Sequence, residues 1–128
     1  MITGIIVFAH GSRIEPANQA VRAVAAHLAR AGNFAHVEAA FLELGQPPLH
    51  GAVTALLSKG VSRVLVIPYF LTLGMHLERD LPRLVDAIAQ AHPGLAISVA
   101  PPLDGHPALV QALLDRANSL SPLDSTKT

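Results

Sequence analysis

Cysteine is absent from this sequence. The chain therefore forms no disulfide, holds no metal through thiolates, uses no thiol nucleophile and ligates no iron–sulfur cluster through its own side chains. Any metal site must be built from nitrogen and oxygen ligands, which leaves histidine, aspartate and glutamate as the main candidates.

Charged residues and long apolar runs are also scarce. Only 14% of the residues are charged and the formal net charge is zero with histidine neutral, so nothing suggests a broad basic surface for nucleic acid or an anionic membrane. The apolar run at residues 5–9 is too short for a signal peptide, and no stretch approaches the ~20 apolar residues of a membrane helix. We expect a soluble, cytoplasmic protein with neither nucleic acid nor membrane as a partner.

The motifs of common nucleotide-dependent enzymes are missing as well. No glycine-rich dinucleotide fingerprint and no phosphate loop with its lysine occurs, so no organic cofactor is expected. Ser12 follows a predicted strand and opens a turn, but the glycine spacing of a hydrolase nucleophile elbow is absent. We interpret Ser12 as a residue that starts the following helix or contacts a ligand.

Apolar residues are plentiful, at 51% of a chain of 128 residues, which is enough for one hydrophobic core without cross-links. We expect a single domain at residues 1–120. Residues 121–128 combine turn-forming and polar side chains without periodicity, as is typical of a disordered terminal tail.

Short apolar runs alternate with helical patterns along this domain. The patterns predict strands at residues 3–9, 36–42, 63–69 and 95–100, and helices at residues 15–31, 48–59, 77–92 and 107–119. Strands that alternate with helices pair in parallel through right-handed crossovers. We expect a three-layer open α/β sandwich, in which helices flank both faces of a four-stranded parallel sheet in the flavodoxin-like order 2-1-3-4.

Three potential metal ligands follow the first three predicted strands. His10 comes directly after strand one, Glu43 follows strand two, and His76 ends the segment after strand three. In the order 2-1-3-4 the chain reverses direction between strands one and three, and ligands favour the crevice at the carboxyl ends there. We expect the three side chains to cluster at one edge of the sheet.

Two imidazoles and a carboxylate would hold a divalent ion and leave coordination positions open, which suits an ion that must be handed on. Asp80, four residues after His76 on the predicted helix, would orient that imidazole. The alternatives are a turn hydrogen bond for His10 and a surface ion pair for His76. Glu43, which otherwise points into solvent, is a weaker candidate for a ligand or a general base.

Two segments resemble motifs of the class II chelatases of tetrapyrrole synthesis, particularly the short cobaltochelatase type called CbiX. The first is FAHGSR at residues 8–13, with Asn18 following. The second is VIPYFLTLGMHLERDLP at residues 66–82. The likeness covers nearly the whole chain.

The resemblance implies an enzyme of the lyase class that inserts a divalent ion into sirohydrochlorin, with His10 and His76 binding the incoming ion. Cobalt is the first candidate, nickel and iron(II) are alternatives, and the pathway would lead to cobalamin or siroheme. The ion is a substrate in this reaction. Short members of the family are expected to pair as homodimers around the macrocycle.

Insertion also requires a base and an apolar surface for the ring. A histidine or Glu43 would accept the two pyrrole protons. Phe70, Leu71 and Met75 belong to an apolar stretch that is too long for a tight turn, and we expect them to pack against the flat face of the ring. Core packing is the alternative for each of them.

Arginines near the expected site would bind the carboxylates of sirohydrochlorin by charge-assisted hydrogen bonds. Arg13 is the first candidate, together with Ser12 as a ligand-contacting hydroxyl. Arg79 and Arg83 are further candidates, unless they are solvated helix residues.

Two other functions fit parts of the pattern. A tetrapyrrole or metal carrier would keep the pocket and bind stoichiometrically without turnover. A phosphoryl-transfer enzyme would use His10 as the nucleophile, but a cluster of arginines around that histidine is not recognisable.

Overall fold

A β-strand is followed by an α-helix four times in the computed structural model, which describes residues 1–119. The strands are β1 (Thr3–Ala9), β2 (Val37–Phe41), β3 (Arg63–Pro68) and β4 (Ala96–Val99). The helices are α1 (Glu15–Gly32), α2 (Leu49–Leu57), α3 (Gly74–Ala91) and α4 (Pro107–Ala117). Every element that the sequence predicts is therefore present.

The ends of the elements differ from the prediction by a few residues, most at α3, which begins at Gly74 and not at Leu77. The tail expected at residues 121–128 lies outside the described residues. Among the residues that are described, no helix is both long and apolar enough to cross a membrane.

The four strands form one parallel sheet in the order β2-β1-β3-β4, which confirms the predicted topology. β1 is central, with Ile5 level with Val37 of β2 on one side and with Leu65 of β3 on the other. The chain leaves β1 through α1 toward β2 and later crosses back through α2 to β3. The carboxyl ends of β1 and β3 therefore flank the switch point where open α/β sheets bind ligands.

The main core lies between the sheet and helices α2 and α3. Ile6 and Phe8 of β1 are fully buried on this side, while Val7 and Ala9 point to the opposite face and pack toward α1. Because β1 is buried on both faces, its sequence is a continuous apolar run and not an alternating one.

The two faces of the sheet are covered unequally. α2 and α3 bury one face, and α1 packs on β2 and β1 on the other. α4 contributes no buried residue. Of the two helical layers expected, the one formed by α2 and α3 is therefore complete in a single copy, whereas the one on the α1 side is not.

Candidate metal centre

Backbone hydrogen bonds continue past the ends of β1 and β2 and hold the two following loops together. The Leu42 N–H donates to the carbonyl of Ala9 at 2.9 Å, and the Glu43 N–H donates to the carbonyl of His10 at 3.0 Å. His10 and Glu43 thus become neighbours at the carboxyl edge of the sheet.

The side chains of these two residues meet in an open site. Nε2 of His10 lies 3.5 Å from Oε1 of Glu43, and both side chains are 57% exposed. This distance is too long for a good hydrogen bond. Two atoms that each bind a tetrahedral ion at about 2.1 Å stand about 3.4 Å apart, so the pair already has the spacing of two metal ligands.

His10 contacts a backbone carbonyl in its own turn, which is the turn hydrogen bond that the sequence offers as its alternative role. Nδ1 of the imidazole lies 3.2 Å from the carbonyl oxygen of Gly11. Because a carbonyl oxygen only accepts hydrogen bonds, this contact requires the proton on Nδ1. The lone pair is then on Nε2, the nitrogen beside Glu43.

Gly11 allows the two loops to approach each other closely. Its φ angle is +96°, a conformation that favours glycine. A Cβ atom at this position would overlap the carbonyl oxygen of Glu43. The glycine that follows His10 is therefore required by the geometry of the pair.

A buried asparagine ties the same loops together. Asn18 of α1 is 1% exposed, and its Oδ1 accepts from the Ser12 N–H at 2.9 Å. Its Nδ2 donates to the carbonyls of Ser12 at 2.8 Å and Leu44 at 3.0 Å. Through these bonds one side chain fixes the loop that carries His10 relative to the loop that carries Glu43.

The sequence names Asn18 as part of the first motif but indicates no role for it in the site. Asn18 is buried on α1, as is Ala25, and Val21 and Leu28 of the same helix pack toward the sheet. The signal available in the sequence was a polar residue at the helical spacing of the apolar residues that face the sheet.

Ser12 has a local structural role. Its Oγ accepts a hydrogen bond from the Ile14 N–H at 3.0 Å, just before α1 begins at Glu15. The bond closes a turn ahead of the helix, whose N-cap residue Ile14 has no side-chain cap, so the interpretation of Ser12 as a residue that starts the helix stays a prediction. Contact of its hydroxyl group with a ligand stays a prediction.

His76 lies in the first turn of α3 and is exposed. Its Nδ1 is 3.4 Å from Nη2 of Arg79, and Nε of Arg79 donates to Oδ1 of Asp80 at 3.2 Å. The expectation that Asp80 orients His76 directly is therefore wrong, because Arg79 lies nearer and engages the carboxylate.

The expected cluster of three ligands does not form in one copy. Between residues 1 and 119, no group of three or more histidine, cysteine, aspartate or glutamate side chains is arranged to hold a metal ion. The structure pairs His10 with Glu43, whereas His76 stands beside an arginine at the start of another helix. A single copy therefore offers an incomplete set of ligands.

The apolar stretch after β3 divides into core and exposed residues. Phe70 packs against Phe8 of the core, with ring centroids 6.2 Å apart, and Leu73 also packs against the core. Leu71 is 67% exposed and Met75 is 83% exposed. The latter two remain available to contact a ring.

Further exposed apolar side chains lie in the loops at the same sheet edge and were not singled out from the sequence. They follow β1, β2 and β3 and are Ile14, Leu42, Leu44 and Tyr69. Large apolar residues are usually buried, so their presence in three loops at one edge was the signal available in the sequence.

The candidate arginines differ in their surroundings. Arg13 is exposed in the loop after His10, and no ion pair within the described part of the chain involves it. Arg79 is engaged by Asp80, and Arg83 is exposed on α3. Arg13 is thus the arginine nearest in sequence to the His10–Glu43 pair and lacks a carboxylate partner among residues 1–119.

An apolar groove of about 440 Å³ adjoins the loop after β2 through Leu42, and it is lined chiefly by residues of α3, the start of α2 and the end of β2. His50 and His92 line it, but His10, Glu43 and His76 do not. The candidate metal ligands therefore lie outside this groove, on the open edge of the sheet.

Comparison with known proteins identifies similar chains. The family model CbiX matches residues 4–120. The chain is 33% identical over 84 residues to a sirohydrochlorin cobaltochelatase of Methanopyrus kandleri. The aligned residues cover 66% of this chain and 59% of that protein. It is 31% identical over 113 residues to the chloroplastic sirohydrochlorin ferrochelatase of Arabidopsis thaliana, covering 88% of this chain and 50% of that protein.

A shorter relative is matched over almost its whole length. The sirohydrochlorin cobaltochelatase of Saccharolobus islandicus is 31% identical over 121 residues, covering 90% of this chain and 93% of that protein. The crystal structure of a CbiX protein from Marinobacter aquaeolei VT8 superimposes with a TM-score of 0.80 at 28% identity, covering 91% of this chain and 94% of that one. The present chain thus spans about half of some relatives and nearly all of others.

Proposed function

This chain belongs to the CbiX family, as its match over residues 4–120 shows, and from this premise we propose that it inserts a divalent metal ion into sirohydrochlorin. The observation that carries the proposal is the pair formed by Nε2 of His10 and Oε1 of Glu43, 3.5 Å apart at the carboxyl edge of the sheet. An exposed pair of this kind suits the temporary binding of an ion that is then released to a stronger ligand.

His10 and Glu43 present the incoming ion in this account. A neutral imidazole and a carboxylate bind cobalt, nickel and iron(II) alike, so the ligands do not select one metal. We take cobalt as the first candidate because two of the relatives described above are named cobaltochelatases. His76 supplies a further nitrogen ligand from the start of α3 once the ring is bound.

Proton removal accompanies insertion. Each of two pyrrole N–H bonds breaks, its electron pair forms a nitrogen–metal bond, and its proton passes to a base. Glu43 is placed to take one of the two protons and the imidazole of His10 the other, because their Oε1 and Nε2 atoms stand side by side at the site. The charge of the ion lowers the affinity of its own ligands for protons, so release of the ion frees Glu43 to take one.

The ring docks against exposed apolar side chains around the pair. Leu71 and Met75 lie after β3, and Leu42 and Leu44 flank Glu43 after β2. Burial of apolar surface at about 25 cal/mol per Å² supplies the binding energy for a macrocycle of this size. Arg13 binds a peripheral carboxylate of the substrate and orients the ring.

The working unit is a homodimer in the cytoplasm that needs no organic cofactor. One small sheet edge covers only one side of a large macrocycle, and one copy holds an incomplete set of metal ligands among its described residues. A second copy supplies the opposite wall.

A multiple-turnover assay tests the proposed function. Purified protein is mixed anaerobically with excess sirohydrochlorin and cobalt, nickel or iron(II), and insertion is followed by absorbance. The proposal predicts many turnovers per protein chain with at least one ion. Binding of one equivalent without turnover would identify a carrier and overturn the proposal.

A further inference from the structure

Glu43 lies in a short loop that leaves β2 and returns to its end. The loop consists of residues 42–46, and we call it the Glu43 loop. Its base is closed because the Phe41 N–H donates to the carbonyl of Pro47 at 2.9 Å and Phe41 pairs with Pro48 in a parallel bridge. The side chain of Glu43 is exposed, so its position depends on how the rest of the loop is held.

Arg22 of α1 binds the far end of this loop. Its Nη2 donates to the backbone carbonyl of Gln46 at 2.8 Å, and its Nη1 donates to Oε1 of Glu15 at 2.6 Å. Its Cζ atom lies 5.2 Å from the centroid of the Phe41 ring, at the base of the loop. One guanidinium group therefore contacts both the end and the base of the Glu43 loop, while a carboxylate of α1 holds it in place.

A surface ion pair with Glu15 is the simpler interpretation of Arg22, but it explains only one of these contacts. Exposed ion pairs contribute little to stability, whereas the carbonyl of Gln46 is a partner 24 residues away in the sequence. A planar guanidinium donates to two acceptors in fixed directions and stacks on an aromatic ring at the same time. The contacts of Arg22 thus connect α1 to the Glu43 loop.

Two side chains of α1 hold the loop from the same side. Nδ2 of Asn18 donates to the carbonyl of Leu44, next to Glu43, and Arg22 donates to Gln46. Asn18 and Arg22 are four residues apart, so they project from one face of the helix. Asn18 also binds Ser12 in the loop that carries His10, whereas the bonds of Arg22 go to Glu15 and Gln46. Loss of Arg22 should therefore move Glu43 and leave His10 in place.

We propose that Arg22 is a positioning residue for the metal site, which holds the Glu43 loop so that the carboxylate of Glu43 stays beside Nε2 of His10. The proposal rests on the proposed function, in which these two side chains present the incoming ion. In this role Arg22 contacts neither the ion nor the ring. Removal of a group that orients a metal ligand typically lowers metal affinity or activity by about 10–100-fold. Because Asn18 still holds the loop, we expect the lower end of this range.

Titration with cobalt(II), followed by the visible absorption of the bound ion, tests the proposal. Arg22→Leu removes both hydrogen bonds and keeps an apolar side chain on the same helix face. It should raise the dissociation constant for cobalt about 10-fold, with the helical circular dichroism unchanged. Arg30→Leu removes an exposed arginine from the last turn of the same helix. This matched control should bind cobalt like the wild type.

The same substitution in a Glu43→Ala background separates positioning from general destabilisation. If Arg22 acts through Glu43, Arg22→Leu should cause no further loss of cobalt affinity once the carboxylate is gone. A general loss of structure would weaken cobalt binding by the same factor in both backgrounds. Equal factors in the two backgrounds, or wild-type affinity in Arg22→Leu, would overturn the proposal.

Insertion kinetics supplies a second readout. In Arg22→Leu the KM for cobalt should rise about 10-fold, while the KM for sirohydrochlorin should stay within about twofold of the wild-type value. A rise confined to the KM for sirohydrochlorin would overturn the positioning role. A wild type that binds cobalt but inserts none would overturn the proposed function alone, because the cobalt titration tests Arg22 without turnover.

Discussion

The carbonyl oxygen of Glu43 occupies the space that a Cβ of Gly11 would need. The loop after β1 and the loop after β2 are thus in van der Waals contact beside the metal ligands. The position of Glu43 relative to His10 depends on this contact.

Gly11→Ala is expected to displace the loop that carries Glu43. The new methyl group overlaps a backbone oxygen, and alanine is strained at a φ angle of +96°. Strain of this kind costs about 1–3 kcal/mol of stability, before any loop displacement. Urea unfolding and cobalt titration measure the two effects, and Gly94→Ala, at a glycine with open space around it, is the control. An unchanged cobalt affinity in Gly11→Ala would show that metal binding does not depend on the contact between the two loops.

Asn18→Ala is expected to destabilise the protein by about 1–3 kcal/mol, because it leaves part-buried backbone groups of Ser12 and Leu44 without their partner. Metal affinity should fall as well, although Asn18 touches no metal ligand. Gln19→Ala, at the exposed neighbouring position, should change neither property. Retention of full metal affinity in folded Asn18→Ala would show that the two loops keep their spacing without this side chain.

Glu15 should titrate below its ordinary value. Nη1 of Arg22 donates to Oε1 of Glu15 at 2.6 Å, and this bond, together with one from Asn18, lowers the pKa of Glu15 from 4.5. A lowered folded-state pKa contributes stability that is present above about pH 4.5 and is lost as the pH falls through the folded value. A carboxyl-detected NMR titration should show the pKa of Glu15 returning toward 4.5 in Arg22→Leu. No change on removing Arg22 would assign the shift to another group.

His76→Ala should reduce the rate of insertion more strongly than it reduces the binding of free cobalt. In one copy the His10–Glu43 pair does not include His76, so His76 enters once the ring is bound. His27→Ala, at an exposed position on α1, serves as the control. Initial rates and isothermal titration measure the two quantities. Equal losses of insertion rate and of cobalt affinity in His76→Ala would show that His76 belongs to the initial binding site.

The fold was predictable because its signals are local and repeated. β1 is a continuous apolar run because it is buried on both faces, and each helix shows its own apolar stripe. Strand order then followed from rules of connection. The start of α3 was misplaced because its N-cap position is Leu73, which forms no side-chain cap that sequence could indicate.

The site was predictable only in part. Topology placed His10 next to Glu43, and the structure confirms that proximity. The sequence did not reveal that Arg79 stands between His76 and Asp80. Helix spacing allows several contacts among these side chains, and only packing selects one. The role of Asn18 was missed because it depends on two loops that meet in space.

A double-mutant cycle on His10 and Glu43 tests the central claim most directly. The specificity constant for cobalt insertion into sirohydrochlorin is measured anaerobically for wild type, His10→Ala, Glu43→Gln and the double variant. If both side chains act on one ion, each single change should lower the constant by about 100-fold or more, and the double variant should be little worse than His10→Ala. A loss in the double variant equal to the product of the two single losses would contradict the account. So would specificity constants that stay unchanged in both single variants.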